Sequence, residues 1–450
     1  MISEQFRQEL VEKGRKAGFD ACEAYIVRSD SFEGSITEGE IRDYQVSSDL
    51  GMGFRGLWHG KMGYASTQVL EEAEIGEVIA RARANAEVID SGDPQMLFAG
   101  SEAYPQVDAF NPALEEITAR EKLERALELE QAAKRVDPRV TKLEDCGVFT
   151  SSASVQLTNS YGLNLEFQRN GGGMYLSPIA RSGEDVSTGM AFRYGRDFAC
   201  FSAEELAAEA VRESVSGLGA KPAASGKYPV LLRNDAAATL LSTFFGVFSA
   251  DAAQKGFSRL KGREGTQIAS GILTIRDDPF LKDGYSRRRF DGEGVACRAK
   301  SVVSSGVLTT LLHNLKTARK QGVKTTANAS RPGYASSIGI SASNFFIEPG
   351  TASRDALVRQ AGRGLLVTSL MGMHAGASAV TGDFSLGARG FLIENGEVSR
   401  PVKGITIAGN FYEMLRHVEA VADDLYFGFP GGAVFGSPSV LIESLTVAGE

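Results

Sequence analysis

Residues 390–398, Gly-Phe-Leu-Ile-Glu-Asn-Gly-Glu-Val, contain the clearest hairpin signal in the chain. Asn395 and Gly396 stand between two apolar runs, and Asn-Gly in that setting predicts a β-hairpin because both turn residues must adopt positive φ. A second hairpin is predicted at residues 304–306, where Ser-Ser-Gly separates two apolar pairs. Short strands of this kind dominate the carboxyl-terminal half, with one helix near residues 354–361. This half is therefore predicted to be a β-rich domain with few helices.

The first 220 residues show a different pattern, in which helical and strand-like segments alternate. Helix, β-meander and helix are predicted in that order twice, which favours two similar α/β layers or an internal duplication. In the first meander the strands are expected to be short, because Ser29-Asp30 and Ser47-Ser48-Asp49 resemble turns, as do Glu38-Gly39 and His59-Gly60. The predicted segments are a helix at 3–17, strands at 21–66, a helix at 70–89, a helix at 114–136, strands at 141–198 and a helix at 203–216.

Two stretches of small and polar residues divide the chain. Residues 91–112 contain Gly, Pro and Asp without periodicity and are interpreted as a linker or long loop. Residues 217–227 are small and flexible and mark the best domain boundary, after which a buried strand and one apolar helix at 236–253 are predicted. The sequence therefore predicts an α+β protein with three domains, at residues 1–112, 113–222 and 223–450.

The composition is that of a folded globular protein. The 450 residues are 43% apolar and 23% charged, and 51 glycines against 13 prolines indicate many tight turns. The net charge of −8 disfavours nucleic acids and anionic membrane surfaces as partners, because both are bound through basic surfaces. Two basic runs, residues 287–289 and 316–324, are interpreted as solvated charged faces.

Targeting and redox signals are those expected of a cytoplasmic protein. No apolar segment follows the first seven residues, as a signal peptide would require. No apolar run reaches the roughly 18 residues of a membrane-spanning helix. The four cysteines, at positions 22, 146, 200 and 297, form no Cys-x-x-Cys pair and no dense framework, so reduced thiols are expected.

Common catalytic motifs are absent from the sequence. The four histidines, at positions 59, 313, 374 and 417, are too far apart for a His-Glu-x-x-His zinc helix. No Gly-x-Ser-x-Gly nucleophile motif or Walker loop occurs. One Gly-x-Gly-x-x-Gly match, at residues 51–56, is interpreted as part of a twisted meander because a strand, not a helix, is predicted after it.

Three groups of side chains remain as candidates for chemistry. His374 and Asp383 lie on a glycine-rich stretch that could border a binding cleft, or could satisfy only its own turns. Asp291 and Glu293 could place two carboxylates on one strand face, although such a pair is more often a solvated turn. Cys297 is interpreted as a small buried hydrophobe rather than a nucleophile.

Several segments resemble the TldD/PmbA peptidase family, whose members have also been called modulators of DNA gyrase. Their order and spacing match the family over nearly the whole chain. The resemblance implies an N-terminal α/β part and a C-terminal barrel-like part. The segments are residues 291–297 (Asp-Gly-Glu-Gly-Val-Ala-Cys), 344–350 (Asn-Phe-Phe-Ile-Glu-Pro-Gly), 382–387 (Gly-Asp-Phe-Ser-Leu-Gly), 390–396 and 436–449.

The resemblance also indicates which branch of the family the chain belongs to. TldD-like members have a His-Glu-x-x-x-His helix and a distant cysteine that hold zinc. Aligned to that helix, the two histidines fall at Ser242 and Val247, and the glutamate falls at Thr243. The cysteine would fall within residues 423–429, where there is none. These departures are typical of the PmbA (TldE) branch and imply that this chain holds no metal.

For that branch, the resemblance implies partnership rather than independent catalysis. The expected partner is a TldD-like chain that carries the zinc, and the expected substrates are unfolded or leader peptides. A homodimer is expected when the partner is absent. Two alternatives stay open. The chain could be a hydrolase with an unrecognised site drawn from His374, Asp383, Asp291, Glu293 and Cys297, or a protein-binding scaffold linked to gyrase modulation.

Overall fold

The computed structural model describes residues 2–89, 93, 96–282 and 284–450. Positions 91, 92, 94 and 95 of the predicted linker lie outside the described residues. Long strands and helices fill the first half of the chain and shorter strands fill the second, which confirms the predicted α+β class. None of the described helices is long and apolar enough to cross a membrane.

The first unit is a helix, a three-stranded meander and a second helix, in the predicted order. Ser3 caps the first helix by accepting a hydrogen bond from the Phe6 amide. The two meander turns are at Glu38-Gly39 and His59-Gly60, and all four residues have positive φ, which confirms both turns. The elements are α1 (Glu4–Lys16), β1 (Ala21–Thr37), β2 (Glu40–Trp58), β3 (Lys61–Thr67) and α2 (Glu72–Val88).

The second unit repeats this arrangement and continues the same sheet. Thr118 and Glu121 form a reciprocal capping box at the start of its long helix. The sheet has seven strands in the order β3-β2-β1-β4-β5-β6, with β7 also paired to β5. The elements are α3 (Pro112–Glu116), α4 (Ala119–Val136), β4 (Val140–Asn159), β5 (Asn164–Ser182), β6 (Asp185–Thr188), β7 (Ala191–Gly195) and α5 (Ala203–Ser216).

The strands of the first meander are long, so the prediction of short strands was wrong. β1 has 17 residues and β2 has 19. β1 runs through Ser29-Asp30 without a turn because it is hydrogen-bonded on both sides. Ser29 lies opposite Asp49 in β2 and opposite Ala153 in β4. The serines and aspartates that resembled turns are instead half-buried or exposed positions of a continuous antiparallel ladder.

The C-terminal part contains shorter elements. They are β8 (Gly226–Leu232), α6 (Asn234–Phe244), α7 (Ala250–Gln254), β9 (Ile275–Asp277), β10 (Lys300–Ser304), β11 (Val307–Leu308), α8 (Leu315–Gln321), β12 (Ala329–Ser330), β13 (Gly339–Ile340), β14 (Asn344–Ile347), α9 (Arg354–Ala361), β15 (Gly364–Met371), α10 (Met373–Gly376), β16 (Asp383–Glu394), β17 (Glu397–Asn410), α11 (Phe411–Arg416), β18 (Val418–Val421), β19 (Tyr426–Phe427), β20 (Val434–Ser437) and β21 (Val440–Ala448).

A closed five-stranded barrel is the centre of this part, as the family resemblance implied. The strands β17, β16, β15, β8 and β21 follow one another, and β17 pairs again with β21 to close the ring. The Asn395-Gly396 hairpin joins β16 to β17, with φ of 55° and 76° at its two turn residues. The predicted turn at Ser305-Gly306 also forms, with φ of 47° and 79°. Both hairpins are therefore confirmed.

The apolar helix predicted at residues 236–253 is divided into two. α6 ends at Phe244, the chain tightens into a 3₁₀ turn at Phe245–Phe248, and α7 follows. Ser249 begins α7 because its hydroxyl accepts a hydrogen bond from the Ala252 amide. Phe244 stacks on Phe411 with ring centroids 4.5 Å apart. The capping hydrogen bond and the ring contact accompany a break in a segment that hydropathy alone predicts as one helix.

Two glycines of the Gly-x-Gly-x-x-Gly match, Gly51 and Gly53, serve packing between the sheet and the C-terminal part. They lie within β2, and β3 follows them rather than a helix. A Cβ atom at Gly51 would overlap the ring of Tyr334, and one at Gly53 would overlap the Tyr334 carbonyl oxygen. The missing side chains therefore let the C-terminal part approach the sheet closely.

Candidate functional site

The helix that resembles the zinc motif has side chains unsuited to a metal. Ser242 is exposed, and the Thr243 hydroxyl donates a hydrogen bond of 2.8 Å to the Thr239 carbonyl oxygen. Val247 lies in the 3₁₀ turn after α6 and is fully buried in the main core. Zinc requires nitrogen, sulfur or oxygen donors at about 2.0–2.3 Å. The residues at these three positions do not fit a zinc ion.

The segment where the resemblance would place a cysteine has a structural role. Asp424 accepts hydrogen bonds from the Ser439 amide at 2.7 Å and from its hydroxyl at 2.8 Å. Asn234, the first residue of α6, donates to the Asp424 carbonyl oxygen. These contacts fix the start of α6 against residues 423–429. Over the described part of the chain, no three His, Cys, Asp or Glu residues are grouped as metal ligands would be.

Asp291 and Glu293 are buried, so the interpretation as a solvated turn was wrong. Asp291 accepts hydrogen bonds from the backbone amides of Glu293, Val295 and Ala329. Glu293 accepts one of 2.8 Å from the Leu315 amide at the start of α8. Burial raises the pKa of Glu293 to about 7 and raises that of Asp291. Both carboxyl groups hold nearby backbone amides in place through these hydrogen bonds. Neither lines the cleft between the sheet and the C-terminal part.

His374 and Asp383 are both exposed. Neither lines the cleft between the seven-stranded sheet and the C-terminal part. His374 lies in the short helix α10. Asp383 accepts a hydrogen bond of 2.8 Å from the Asn410 side chain, and this contact lowers the pKa of its carboxyl group. Cys297 is buried, and burial raises the pKa of its thiol to about 12. No contact among the described residues joins His374 or Asp383 to Asp291 or Glu293, whereas Cys297 lies close enough to Asp291 for the carboxylate to add to the rise in the pKa of the thiol.

A large cleft lies instead between the seven-stranded sheet and the C-terminal part, with a volume of about 740 Å³. Its floor is one face of the sheet. Ser47 in β2, Ser31 in β1 and Ser151 in β4 lie side by side in register, and Gly171 in β5 continues this row. Because these side chains are small or absent, the floor is flat and polar across four strands.

Aromatic rings form the walls of the cleft. Phe149 and Tyr194 rise from the sheet and stack with centroids 5.9 Å apart. From the C-terminal part, Tyr285 meets Tyr194 at 4.8 Å and Phe429 meets Phe149 at 5.2 Å. Phe429 is about half exposed although it is aromatic. The cleft therefore combines a polar floor with apolar walls, the usual character of a ligand site.

The arrangement of the Tyr194 ring depends on the glycine in the floor. A Cβ atom at Gly171 would overlap the Tyr194 hydroxyl. Burial raises the pKa of Tyr194, while nearby Arg169 and a hydrogen bond with Ser151 lower it. The ring is thus held over the floor by groups on two strands.

Basic side chains border the same cleft. Arg169 is on the floor in β5, and Arg287 comes from the loop opposite. Arg287 donates a hydrogen bond of 2.6 Å to the Asp108 carbonyl oxygen. The run at residues 287–289 is half-buried rather than a solvated face, and all three Nε atoms are buried without a hydrogen-bond partner among the described residues. The sequence showed this run, but nothing in it indicated that Arg287 lines a cleft together with residues of strands β1 and β4.

Family models match the chain in three consecutive segments. Residues 22–86 match PmbA/TldA metallopeptidase domain 1, residues 112–218 the central domain, and residues 225–449 the C-terminal domain. A metallopeptidase-family fold is thus present along almost the whole chain. The protein belongs to the PmbA/TldD family, on its PmbA/TldE side, as the sequence predicted.

Individual relatives are similar over their full length. The chain is 30% identical to Metalloprotease PmbA of Escherichia coli O157:H7 over 437 residues, which cover 96% of this chain and 93% of that protein. A Thermotoga maritima MSB8 structure named as a modulator of a DNA gyrase is 33% identical, with a TM-score of 0.91 and coverage of 99% and 100%. TldE from Thermococcus kodakarensis is 26% identical, with the same TM-score and coverage.

Proposed function

We propose that this chain is a non-catalytic, peptide-binding subunit that acts with a TldD-like zinc metallopeptidase chain. The observation that carries the proposal is the chemistry and the burial of Val247. In the alignment that the family resemblance implies, it falls where TldD-like members have a zinc-binding histidine, but it is fully buried in the core and has no donor atom. Ser242 and Thr243 likewise lack the groups that zinc hydrolysis requires.

The cleft supports a role in holding peptide. Its flat serine floor can accept an extended chain, and its aromatic walls can pack against apolar side chains. A zinc ion in the partner would polarise the scissile carbonyl and activate water. This chain would then position the peptide and, together with its partner, enclose it.

Zinc content and peptide cleavage together test the proposal. The purified, untagged chain is analysed by elemental mass spectrometry without chelator, then incubated with unfolded peptides alone and with a TldD-like chain. We expect no stoichiometric zinc, no cleavage by the chain alone, and cleavage by the mixture that exceeds that of the TldD-like chain alone. One zinc per chain with cleavage in the absence of a partner would overturn the proposal.

Size-exclusion chromatography with light scattering tests the assembly. We expect the isolated chain to be a homodimer, since most oligomers are symmetric dimers, and the mixture to form a heterodimer in which the two chains together enclose the peptide. A monomer that remains unchanged when the TldD-like chain is added would contradict partnership.

A further inference from the structure

We infer that the cleft between the sheet and the C-terminal part selects peptides through a carboxylate, which Arg169 and Arg287 hold beside the aromatic walls. The inference rests on the proposed peptide-binding function and adds a substrate class to it. It concerns peptides that carry a negative charge next to a large apolar side chain.

The charge balance of the cleft is positive although that of the chain is negative. Among the described residues, four basic side chains and two carboxylates border the cleft. They are Arg169, Arg196, Lys282 and Arg287, and Asp30 and Asp197. Both carboxylates are already engaged. Asp30 pairs with Arg28 at 2.9 Å. Asp197 accepts a hydrogen bond of 3.0 Å from the Ala199 amide. In the part of the chain that the structure describes, neither carboxylate forms an ion pair with a basic side chain that lines the cavity.

Of the four bases, Arg196 forms an ion pair, whereas no ion pair of the described residues involves the two central arginines. Arg196 pairs with Asp108 at 2.9 Å. Neither Arg169 nor Arg287 forms an ion pair with any described residue. A guanidinium offers five donors in a planar fork that matches a carboxylate. The two arginines thus have unused donors that an anionic ligand can satisfy.

The backbone around Arg287 is fixed, so this side chain is held in place before a ligand arrives. The neighbouring Ser286 amide donates a hydrogen bond of 3.0 Å to Asn344, and the Ser286 hydroxyl donates to the Gly432 carbonyl oxygen. The Arg287 guanidinium itself donates to the Asp108 carbonyl oxygen, while its Nε is buried without a partner in the described part of the chain. Such preorganisation lowers the entropic cost of binding.

The aromatic walls define what accompanies the carboxylate. Tyr194 lies next to Arg169, whose charge partly offsets the rise in the pKa of the tyrosine that burial causes. Tyr285 and Phe429 extend the apolar surface on the opposite side. An aromatic or large aliphatic side chain of the peptide would pack there while the carboxylate meets the arginines. The carboxylate could be the C-terminus of the peptide or an Asp or Glu side chain.

Equilibrium binding of fluorescent ten-residue peptides to the full chain distinguishes these sources. Three peptides share one phenylalanine: a neutral peptide with an amidated C-terminus, the same peptide with a free C-terminus, and an amidated peptide with glutamates near the phenylalanine. At least one charged peptide should bind about tenfold more tightly than the neutral amide. The charged peptide that gains affinity over the neutral amide identifies whether the carboxylate is the C-terminus or a side chain.

Variants assign the gain to the two arginines. Arg169→Gln and Arg287→Gln should each remove most of the tenfold preference for the charged peptide over the neutral amide, and Arg287→Lys should restore part of that preference. Arg181→Gln, an exposed arginine on the same strand as Arg169 but away from the cleft, is the matched control and should change nothing.

Three outcomes would overturn the inference. Equal binding of neutral and charged peptides would remove the carboxylate preference but leave the proposed peptide-binding function intact. Binding of none of the peptides would remove both. Tighter binding of a single-stranded oligonucleotide than of any peptide would show that the arginines and rings serve nucleic acid instead, since stacking and cationic side chains also suit that ligand.

Discussion

The Nη1 atom of Arg331 lies 2.8 Å from the Oε1 atom of Glu23, although the two residues are 308 positions apart. Arg55 donates to both oxygens of the same carboxylate, at 2.8 and 3.1 Å. All three side chains are almost fully buried. This cluster joins the sheet to the C-terminal part, and the cleft lies between the same two parts.

Glu23→Gln should destabilise the protein strongly. The substitution keeps the shape of the side chain but leaves the buried Arg331 with no ion-pair partner among the described residues and Arg55 with only Glu293, 3.8 Å away, which costs about 3–5 kcal/mol. Chemical unfolding followed by fluorescence measures the loss. Glu124→Gln removes the partner of Arg120 in an exposed pair and should change stability by less than about 1 kcal/mol. Similar losses in the two variants would contradict a buried charge cluster.

Glu293 should make stability depend on pH near neutrality. Burial raises its pKa from an ordinary value of 4.5 to about 7 in the folded protein. Between these values the folded state binds more protons than the unfolded state, so the contribution of this group to stability falls as pH rises from about 4.5 to about 7 and is constant above.

Glu293→Gln isolates this effect, because glutamine resembles the protonated acid and does not titrate. As pH rises through that window, the melting temperature of the wild type should fall relative to that of the variant. The neighbouring Asp291 and Arg55 remain in both proteins. A difference that is independent of pH from 4.5 to 7 would show that Glu293 is ionised throughout.

Gly171→Ala should disturb the cleft. The added methyl group would overlap the Tyr194 hydroxyl and force the ring from its place above the floor. We expect a loss of stability of about 1–3 kcal/mol and weaker peptide binding. Gly76→Ala, on the exposed face of α2 where a methyl group meets nothing, should instead stabilise by about 0.5–1 kcal/mol. Unchanged peptide binding in Gly171→Ala would show that Tyr194 does not shape the site.

Val247→His should not restore a metal site. The imidazole would enter a close-packed apolar core and leave polar nitrogens unpaired, at a cost of at least about 1–3 kcal/mol. Ser242→His is the matched comparison on an exposed position and should be tolerated. Thermal melts measure both effects. Stoichiometric zinc in the triple variant Ser242→His, Thr243→Glu, Val247→His would show that the core can open to form the site.

Cys200 should be the reactive thiol of the folded protein. Burial raises the pKa of Cys22, Cys146 and Cys297 to about 12, whereas Cys200 is exposed at the edge of the cleft. A hydrogen bond to Asp197 raises the pKa of the Cys200 thiol and slows its ionisation.

Alkylation at pH 8 with mass spectrometry tests this prediction. Only Cys200 should be modified in the native state, and Asp197→Asn should increase its rate severalfold because the thiolate forms more readily. Equal modification of all four cysteines would indicate that the protein opens under these conditions.

Local chemistry and the ordered family segments were sufficient to determine much of the architecture. The Asn395-Gly396 turn, the repeated helix–meander–helix pattern and the C-terminal barrel were all predicted. Turns are readable in sequence because positive φ restricts which residues can occupy them. The absence of histidines at positions 242 and 247 was equally readable, since side-chain chemistry is a property of the residue itself.

Only the tertiary structure determined the length of β1, the burial of Asp291 and Glu293, and the cleft. A serine next to an aspartate favours a turn locally, but pairing on both sides keeps Ser29 in a strand. The cleft joins Ser31, Ser151, Arg169 and Arg287 from distant segments. Burial, pKa shifts and cavity walls arise from contacts between residues far apart in the chain, and composition, periodicity and local spacing do not encode them.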